Sequence, residues 1–232
     1  MKTVVMGNYW QSSNKEKEPI EWLVLREDGD KQYLLSKYCL DCVPYCDGHK
    51  IAWKHSLMRK WLNDEFLNAA FTAEEQENIL LTNVQTQPGG WFGPALDVSQ
   101  PVSDKIFLPS IAEAILFFDS TEWHDIDAEQ KRIARPTYYA CERGCWADCL
   151  EYVPPKYVYL SDNINPDSLY WQTASKQQDI GEDTPQMRWS ARWFLRSAGY
   201  DKIEVGHTGE ISSLTAQFSE HTAVRPAMWV KR

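Results

Sequence analysis

Two segments near the C-terminus each set one arginine inside a run of large apolar residues: Trp193-Phe194-Leu195-Arg196-Ser197-Ala198-Gly199 and Ala223-Val224-Arg225-Pro226-Ala227-Met228-Trp229-Val230. An arginine in such a run must pair internally or break the strand, because a buried charge without partners is strongly unfavourable. Two matched runs predict paired strands whose arginines hold a polar network. Arg196 and Arg225, framed by Trp193 and Trp229, are therefore expected to be structural anchors. The pattern constrains the fold more than it constrains any activity.

The rest of the chain supplies strands at both ends and helices between them. Pro19 to Arg26 alternates and ends at Glu27-Asp28-Gly29-Asp30, after which Lys31 to Ser36 returns, the pattern of a hairpin. Asn8-Tyr9-Trp10 belongs to a preceding strand. Ser56 is placed to cap a helix in which Leu57, Met58, Trp61, Leu62 and Phe66 recur at helical spacing. Thr72-Ala73-Glu74-Glu75 and Ser110-Ile111-Ala112-Glu113 match capping boxes. The first starts a short helix through Ile79 and Leu80. The second precedes an apolar face of Ile115, Leu116 and Phe118. Ile203-Glu204-Val205 and Glu210 to Leu214 return to strand. Strands at the ends with helices between predict an α+β fold, and 232 residues suit a single domain over 1–232.

Eleven tryptophans, eleven tyrosines and eight phenylalanines are many for this length. Their N–H and O–H groups need partners, so they either build an aromatic core or stand half-exposed on a binding surface. Gln85 to Pro101 is a loop in which glycine and proline flank Trp91-Phe92, setting two aromatics on irregular backbone. Ser161 to Gln186 is a second irregular stretch, and long loops in a domain carry function or are disordered.

A formal net charge of -9 argues against nucleic acid and against an anionic membrane surface as partners. No apolar stretch approaches the roughly 20 residues that span a bilayer, so no membrane insertion is expected. Met1 to Gly7 is too short for a signal peptide, which predicts a soluble cytoplasmic chain, although a longer exported form would look the same.

Six cysteines fall in two triplets, Cys39, Cys42, Cys46 and Cys141, Cys145, Cys149. The first approximates metal-ligand spacing. The second lines three thiols along one helical face. Converging, they would offer ligands for zinc; apart, they are small buried hydrophobes in a reducing compartment. Other chemistry is sparse. There is no nucleophile elbow, phosphate loop or dinucleotide fingerprint, and no histidine pair at zinc-protease spacing. Glu122 to Asp127 is an acidic turn. Asn163-x-Asn165-x-Asp167 imitates a calcium loop but has Ser168 where glycine is needed and Ala174 where glutamate is needed.

Pro19 to Leu25, Leu34 to Tyr38, Ser56 to Asn63, Phe107 to Ser110, Pro136 to Ala140, Trp193 to Ser197 and Val224 to Ala227 follow one another in an order that resembles an uncharacterised bacterial family of unknown function, of DUF6273 type. That family resembles the C-type lectin-like fold, also seen in formylglycine-generating enzymes. The resemblance implies a mixed fold with N- and C-terminal strands paired and two to three helices packed on the sheet. Lectin calcium motifs are absent, and no cysteine follows Cys149, so the copper-binding pair of formylglycine-generating enzymes is absent too.

The expected function is thus non-catalytic recognition of a protein or carbohydrate ligand. Its surface is expected over residues 200 to 222, with Tyr200, Asp201, His207, Glu210 and His221, joined by Trp91 and Phe92. A metal-binding protein or enzyme built on the cysteines is the alternative, and a structural interaction module is a third.

Overall fold

In a computed structural model, which describes residues 1–46, 52–85, 101–120, 125–151, 187–196, 202–213 and 220–232, the two ends of the chain share one antiparallel sheet. Its order is β1 (Thr3–Trp10), β2 (Lys17–Asp28), β3 (Lys31–Ser36) and β11 (Ala227–Lys231). The hairpin between β2 and β3 forms where the sequence predicts it. Gly29 takes φ 62°, as a two-residue connection with glycine first requires. The C-terminal strand pairs with β3, bringing Met228 opposite Leu34 and Trp229 opposite Tyr33. The first strand, β1, lies at the far edge, so the N- and C-terminal strands share a sheet without being paired to each other.

Helices occupy the middle of the chain, and those starting at Leu57, Ala73, Ile111, Ile126 and Tyr138 are opened by side-chain caps. Ser56 Oγ accepts from the Arg59 N–H to start α1 (Leu57–Trp61). The helix then widens into a π-helical turn over Leu62–Phe66 and resumes as α2 (Leu67–Ala70). Met58, Leu62, Phe66, Leu67 and Ala70 are buried, whereas Leu57 is exposed and Trp61 half-buried. Both expected capping boxes are present, opening α3 (Ala73–Asn78) and α4 (Ile111–Leu116). The first helix stops at Asn78 rather than running on. Ile79 bridges Val230 and the Leu80 N–H donates to Trp229 O, so these residues extend the sheet beyond β11. Leu116 is exposed while Ala114 and Phe118 are buried. Strands β4 (Thr82–Val84) and β5 (Val102–Asp104) pair, and α5 (Ile126–Arg132) and α6 (Tyr138–Glu142) follow, capped by Asp125 and Thr137.

Two small antiparallel units complete the fold. Strand β6 (Asp148–Glu151) pairs with β7 (Met187–Ser190), and β8 (Trp193–Phe194), β9 (Ile203–Val205) and β10 (Ile211–Ser213) form a three-stranded sheet in the order β10-β9-β8. The architecture is α+β with strands dominant. The two arginine segments enter different sheets and touch through one parallel bridge, Trp193 to Ala223.

Their arginines accordingly hold two networks instead of one. Arg196 donates to Leu108 O at 2.6 Å and Gln85 O at 3.1 Å, and pairs with Glu113 at 3.2 Å. Arg225 donates to Ser36 O at 2.9 Å and Arg132 O at 3.0 Å, with its guanidinium 4.9 Å from the Trp193 ring centroid. Burial pulls the Arg225 pKa down to about 10. Trp229 lies half-buried on β11, with the Lys31 ammonium 4.9 Å above its ring.

Candidate functional site

The β9–β10 hairpin positions the site. Its turn is Gly206-His207-Thr208-Gly209, closed by Gly206 N–H to Glu210 O at 2.7 Å and Gly209 N–H to Gly206 O at 3.0 Å. Gly209 takes φ 93°, and a Cβ there would sit 1.9 Å from the Glu129 carbonyl oxygen. Only glycine lets the turn approach α5 so closely. From α5, the fully buried Arg132 donates to Gly209 O at 2.8 Å, so the turn that carries His207 is pinned from beneath.

On the strand leading into this turn, Glu204 is 1% exposed between buried Ile203 and Val205. Arg192 donates to one of its carboxylate oxygens, and Thr222 Oγ1 lies 3.5 Å from the other. Arg192 Nη2 also lies 3.3 Å from His207 Nδ1, which is 3.7 Å from Asp148 Oδ2 on β6. When neutral, His207 can accept from Arg192 through Nδ1; when protonated, its charge faces Asp148. Glu210 follows the turn and accepts from Thr208 Oγ1. Burial pushes the Glu204 pKa up to about 7. Glu210 adds to the rise, and Arg192 and Thr222 oppose it. Arg192, His207 and Asp148 keep 23%, 21% and 20% of their side-chain surface exposed, so an inner buried carboxylate lies under an outer, partly open polar layer.

An aromatic pair borders this cluster. His221 stacks on Trp146 with centroids 4.1 Å apart and planes at 10°, and its Nδ1 lies 2.9 Å from Gly144 O. Both rings are half-buried. Trp146 precedes Asp148 by two residues and His221 adjoins Thr222, so the pair runs into the polar cluster through the chain itself.

Three of the sequence-predicted ligand residues, His207, Glu210 and His221, thus fall in or beside one constellation. Trp91, Phe92, Tyr200 and Asp201 lie outside the described residues. Sequence reasoning missed Arg192, Glu204, Thr222, Asp148 and Trp146. Glu204 carried a usable signal: a charge between Ile203 and Val205 obeys the same logic that singles out Arg196 and Arg225.

No disulfide joins the cysteines, and all but the half-buried Cys149 are buried. Cys39, Cys42 and Cys145 pack in one apolar cluster with Trp193 and Leu195. Cys141 packs with Ala147 and Trp189, and Cys46 belongs to the main core. Burial pushes the Cys39 and Cys42 thiols up to about 12, Cys141 up to about 11, and Cys145 well above its ordinary value. The two triplets approach each other, but not as one set of six. Among the described residues no three His, Cys, Asp or Glu side chains are grouped so as to hold a metal ion. No helix among the described residues is long and apolar enough to cross a membrane.

A domain of unknown function, DUF6273, matches residues 29–232, and the chain belongs to that family. The match begins at the turn between β2 and β3, so β1 and β2 precede it although they complete the same sheet. No curated protein and no solved structure matches the chain.

Proposed function

We propose that the chain is a non-catalytic ligand-recognition domain of C-type lectin-like architecture. Its protein or carbohydrate partner docks on Trp146, Asp148, Arg192, His207 and His221. One observation carries this reading: three partly exposed polar side chains meet around His207, and a half-buried stacked aromatic pair adjoins them along the chain, two residues from Asp148 and next to Thr222. Aromatic faces beside oriented hydrogen-bonding groups suit polar ligands, since the rings supply contact area and the polar groups fix orientation. A lectin-like scaffold is supported by the shared sheet of the chain ends and by a second small sheet whose hairpin presents the site.

Glycan and peptide arrays probed with the purified chain test this. Trp146→Ala and Arg192→Ala are each expected to weaken a hit at least about tenfold, the loss typical of a central interface residue. Leu81→Ala, on exposed surface, serves as the control. Binding that survives both changes overturns the assignment. The second reading, an acid–base enzyme, is favoured by Glu204, whose pKa near 7 suits proton transfer at neutral pH. Its burial and its pairing with Arg192 favour the recognition reading, because a carboxylate so covered is poorly placed to meet a substrate.

A further inference from the structure

One ring nitrogen of the candidate site has two neighbours that it cannot satisfy together. His207 Nδ1 lies 3.3 Å from Arg192 Nη2 and 3.7 Å from Asp148 Oδ2. A guanidinium only donates hydrogen bonds, and an ionised carboxylate only accepts them. The bare nitrogen of a neutral ring can accept from Arg192 but offers Asp148 nothing. Once protonated, the same nitrogen can donate to Asp148 and has no lone pair left for Arg192. The nearer approach to Arg192 is the arrangement of the neutral ring. Charged groups reach this region from every neighbouring element: Asp148 from β6, Arg192 from the link between β7 and β8, Glu204 from β9, Glu210 from the start of β10, and Glu129 and Arg132 from α5. Of these, Arg192 and Asp148 stand at the ring itself. The backbone under His207 is fastened by the Gly206–Glu210 closure, by Arg132 donating to Gly209 O at 2.8 Å, and by the tight seat of Gly209 on Glu129 O. A change of partner therefore falls on the side chain, not on the turn.

We propose that His207 is an acid-operated latch on the recognition surface: with a neutral ring it braces Arg192 and leaves the Asp148 carboxylate to the ligand, and with a protonated ring it leaves Arg192, pairs with Asp148 and turns the ligand out. The effect on binding rests on the recognition reading; the change of partner at the ring does not. Protonation sets a second cation beside Arg192, and like charges at this spacing repel, so the imidazolium moves away from the guanidinium as it closes on Asp148. That new pair occupies the acceptor to which a hydroxyl or N–H group of a sugar or peptide would donate. Loss of one hydrogen bond to a charged group corresponds to binding weaker by at least about tenfold. Histidine is the side-chain type that changes charge between about pH 5 and pH 8, which sets the range in which the latch works.

Imidazole nitrogen NMR of the whole chain without ligand, from about pH 5 to about pH 8, reads the ring directly. Among the five histidines, the His207 signals are those lost in His207→Gln. At the upper end the proton is expected on Nε2, with Nδ1 bare. On acidification both nitrogens gain protons, and the Asp148 carboxyl carbon, identified by its loss in Asp148→Asn, is expected to shift in step. A neutral ring with its proton on Nδ1, or an Asp148 carboxyl that does not follow the ring, overturns the proposal. Glu204 also changes charge in this range, since burial pushes its pKa up to about 7. Glu204→Gln is expected to keep the coupled response of His207 and Asp148; its loss there would assign the event to Glu204 and overturn the latch. Glycan and peptide arrays at about pH 5.5 and about pH 7.5 read the consequence. Wild-type hits are expected to be at least about tenfold weaker in acid. His207→Gln, whose amide oxygen can accept from Arg192 but cannot gain a charge, is expected to bind alike at both. Wild-type hits of equal strength at the two values overturn the latch. No hit at either sinks the recognition reading instead, and the spectra still decide the change of partner. Should His207→Gln fail to fold, sequential assignment of the wild-type chain and the response of its Asp148 carboxyl decide.

Discussion

Tyr9 donates a 2.6 Å hydrogen bond to the carboxylate of Asp41, joining the outermost strand to a residue that bridges Val224 in the middle of the fold. Asp41 is 2% exposed and also accepts from the Cys42 N–H at 2.7 Å and from Arg143 at 3.4 Å. Burial pushes the Asp41 pKa up, and the three donors pull against it. The pair is thus a buried charge kept tolerable by its donors, with one of them supplied from the strand farthest from β11.

Replacing Tyr9 with Phe removes the strongest side-chain donor to Asp41 and raises that carboxyl further. A carboxylate whose folded pKa lies above its unfolded value loses stability contribution as pH rises through that window. Tyr9→Phe is therefore expected to destabilise by about 2 kcal/mol near pH 7 and by less near pH 4. Urea unfolding at both values checks this. A loss that is equal at the two would show that Asp41 is not the partner affected.

The same linkage applies to Glu204, which titrates near pH 7 when folded and near 4.5 when not. The native state binds its proton more tightly, so wild-type stability falls across that window by an amount on the order of 3 kcal/mol. Glu204→Gln lacks this slope. Its stability relative to wild type is expected to improve from pH 5 to pH 8, even if it starts lower through loss of the Arg192 ion pair. Parallel stability curves for the two proteins would rule out a raised pKa.

Gly7 sits where the β1–β2 register shifts, with φ 72° and its N–H donating to Glu75 at 2.8 Å. A Cβ there would lie 2.7 Å from the Phe71 ring and 2.8 Å from Ala70 O. Gly7→Ala combines a left-handed backbone with that overlap, and is expected to cost about 2–4 kcal/mol. Thermal melting gives the answer directly, and an unchanged Tm would refute the close approach of β1 to α2.

Arg225→Ala leaves the carbonyls of Ser36 and Arg132 without these donors and opens a cavity against Trp193. A loss of about 3–5 kcal/mol is expected. Arg225→Lys should recover little of it, because an ammonium cannot reproduce the planar fork that reaches separated carbonyls. Full recovery by lysine would mean that the charge alone matters at this position.

Local signals were legible in the sequence and distant ones were not. Ser56, Thr72 and Ser110 cap their helices because a cap involves residues three apart, which a sequence displays side by side. The Gly29 turn is equally local. By contrast, nothing near Arg132 shows that this helix-end arginine is buried against Gly209 and Ala114, 77 and 18 residues away. Leu57 and Leu116 fit their helices' apolar spacing yet are exposed, since spacing fixes a face but not what lies opposite it. For the site, the turn residues His207 and Glu210 could be named from the polar stretch between the arginine segments. Strand β9 has three residues, all buried, and so shows no alternation; the only local sign of Glu204 is a charge set between Ile203 and Val205. Arg192 and Asp148 come from elsewhere in the chain, and their meeting is a tertiary fact.

The family match begins at Gly29, inside a hairpin, and this separates two kinds of boundary that are easily confused. Tyr9, Ile20 and Trp22 lie before it and are buried in the main core, while β2 covers one whole side of β3. A polypeptide cut at Gly29 would leave β3 with an open row of amides and carbonyls beside Leu34 and Leu35, an invitation to pair with another chain. The stretch that the family match covers is therefore shorter than the stretch that closes this sheet.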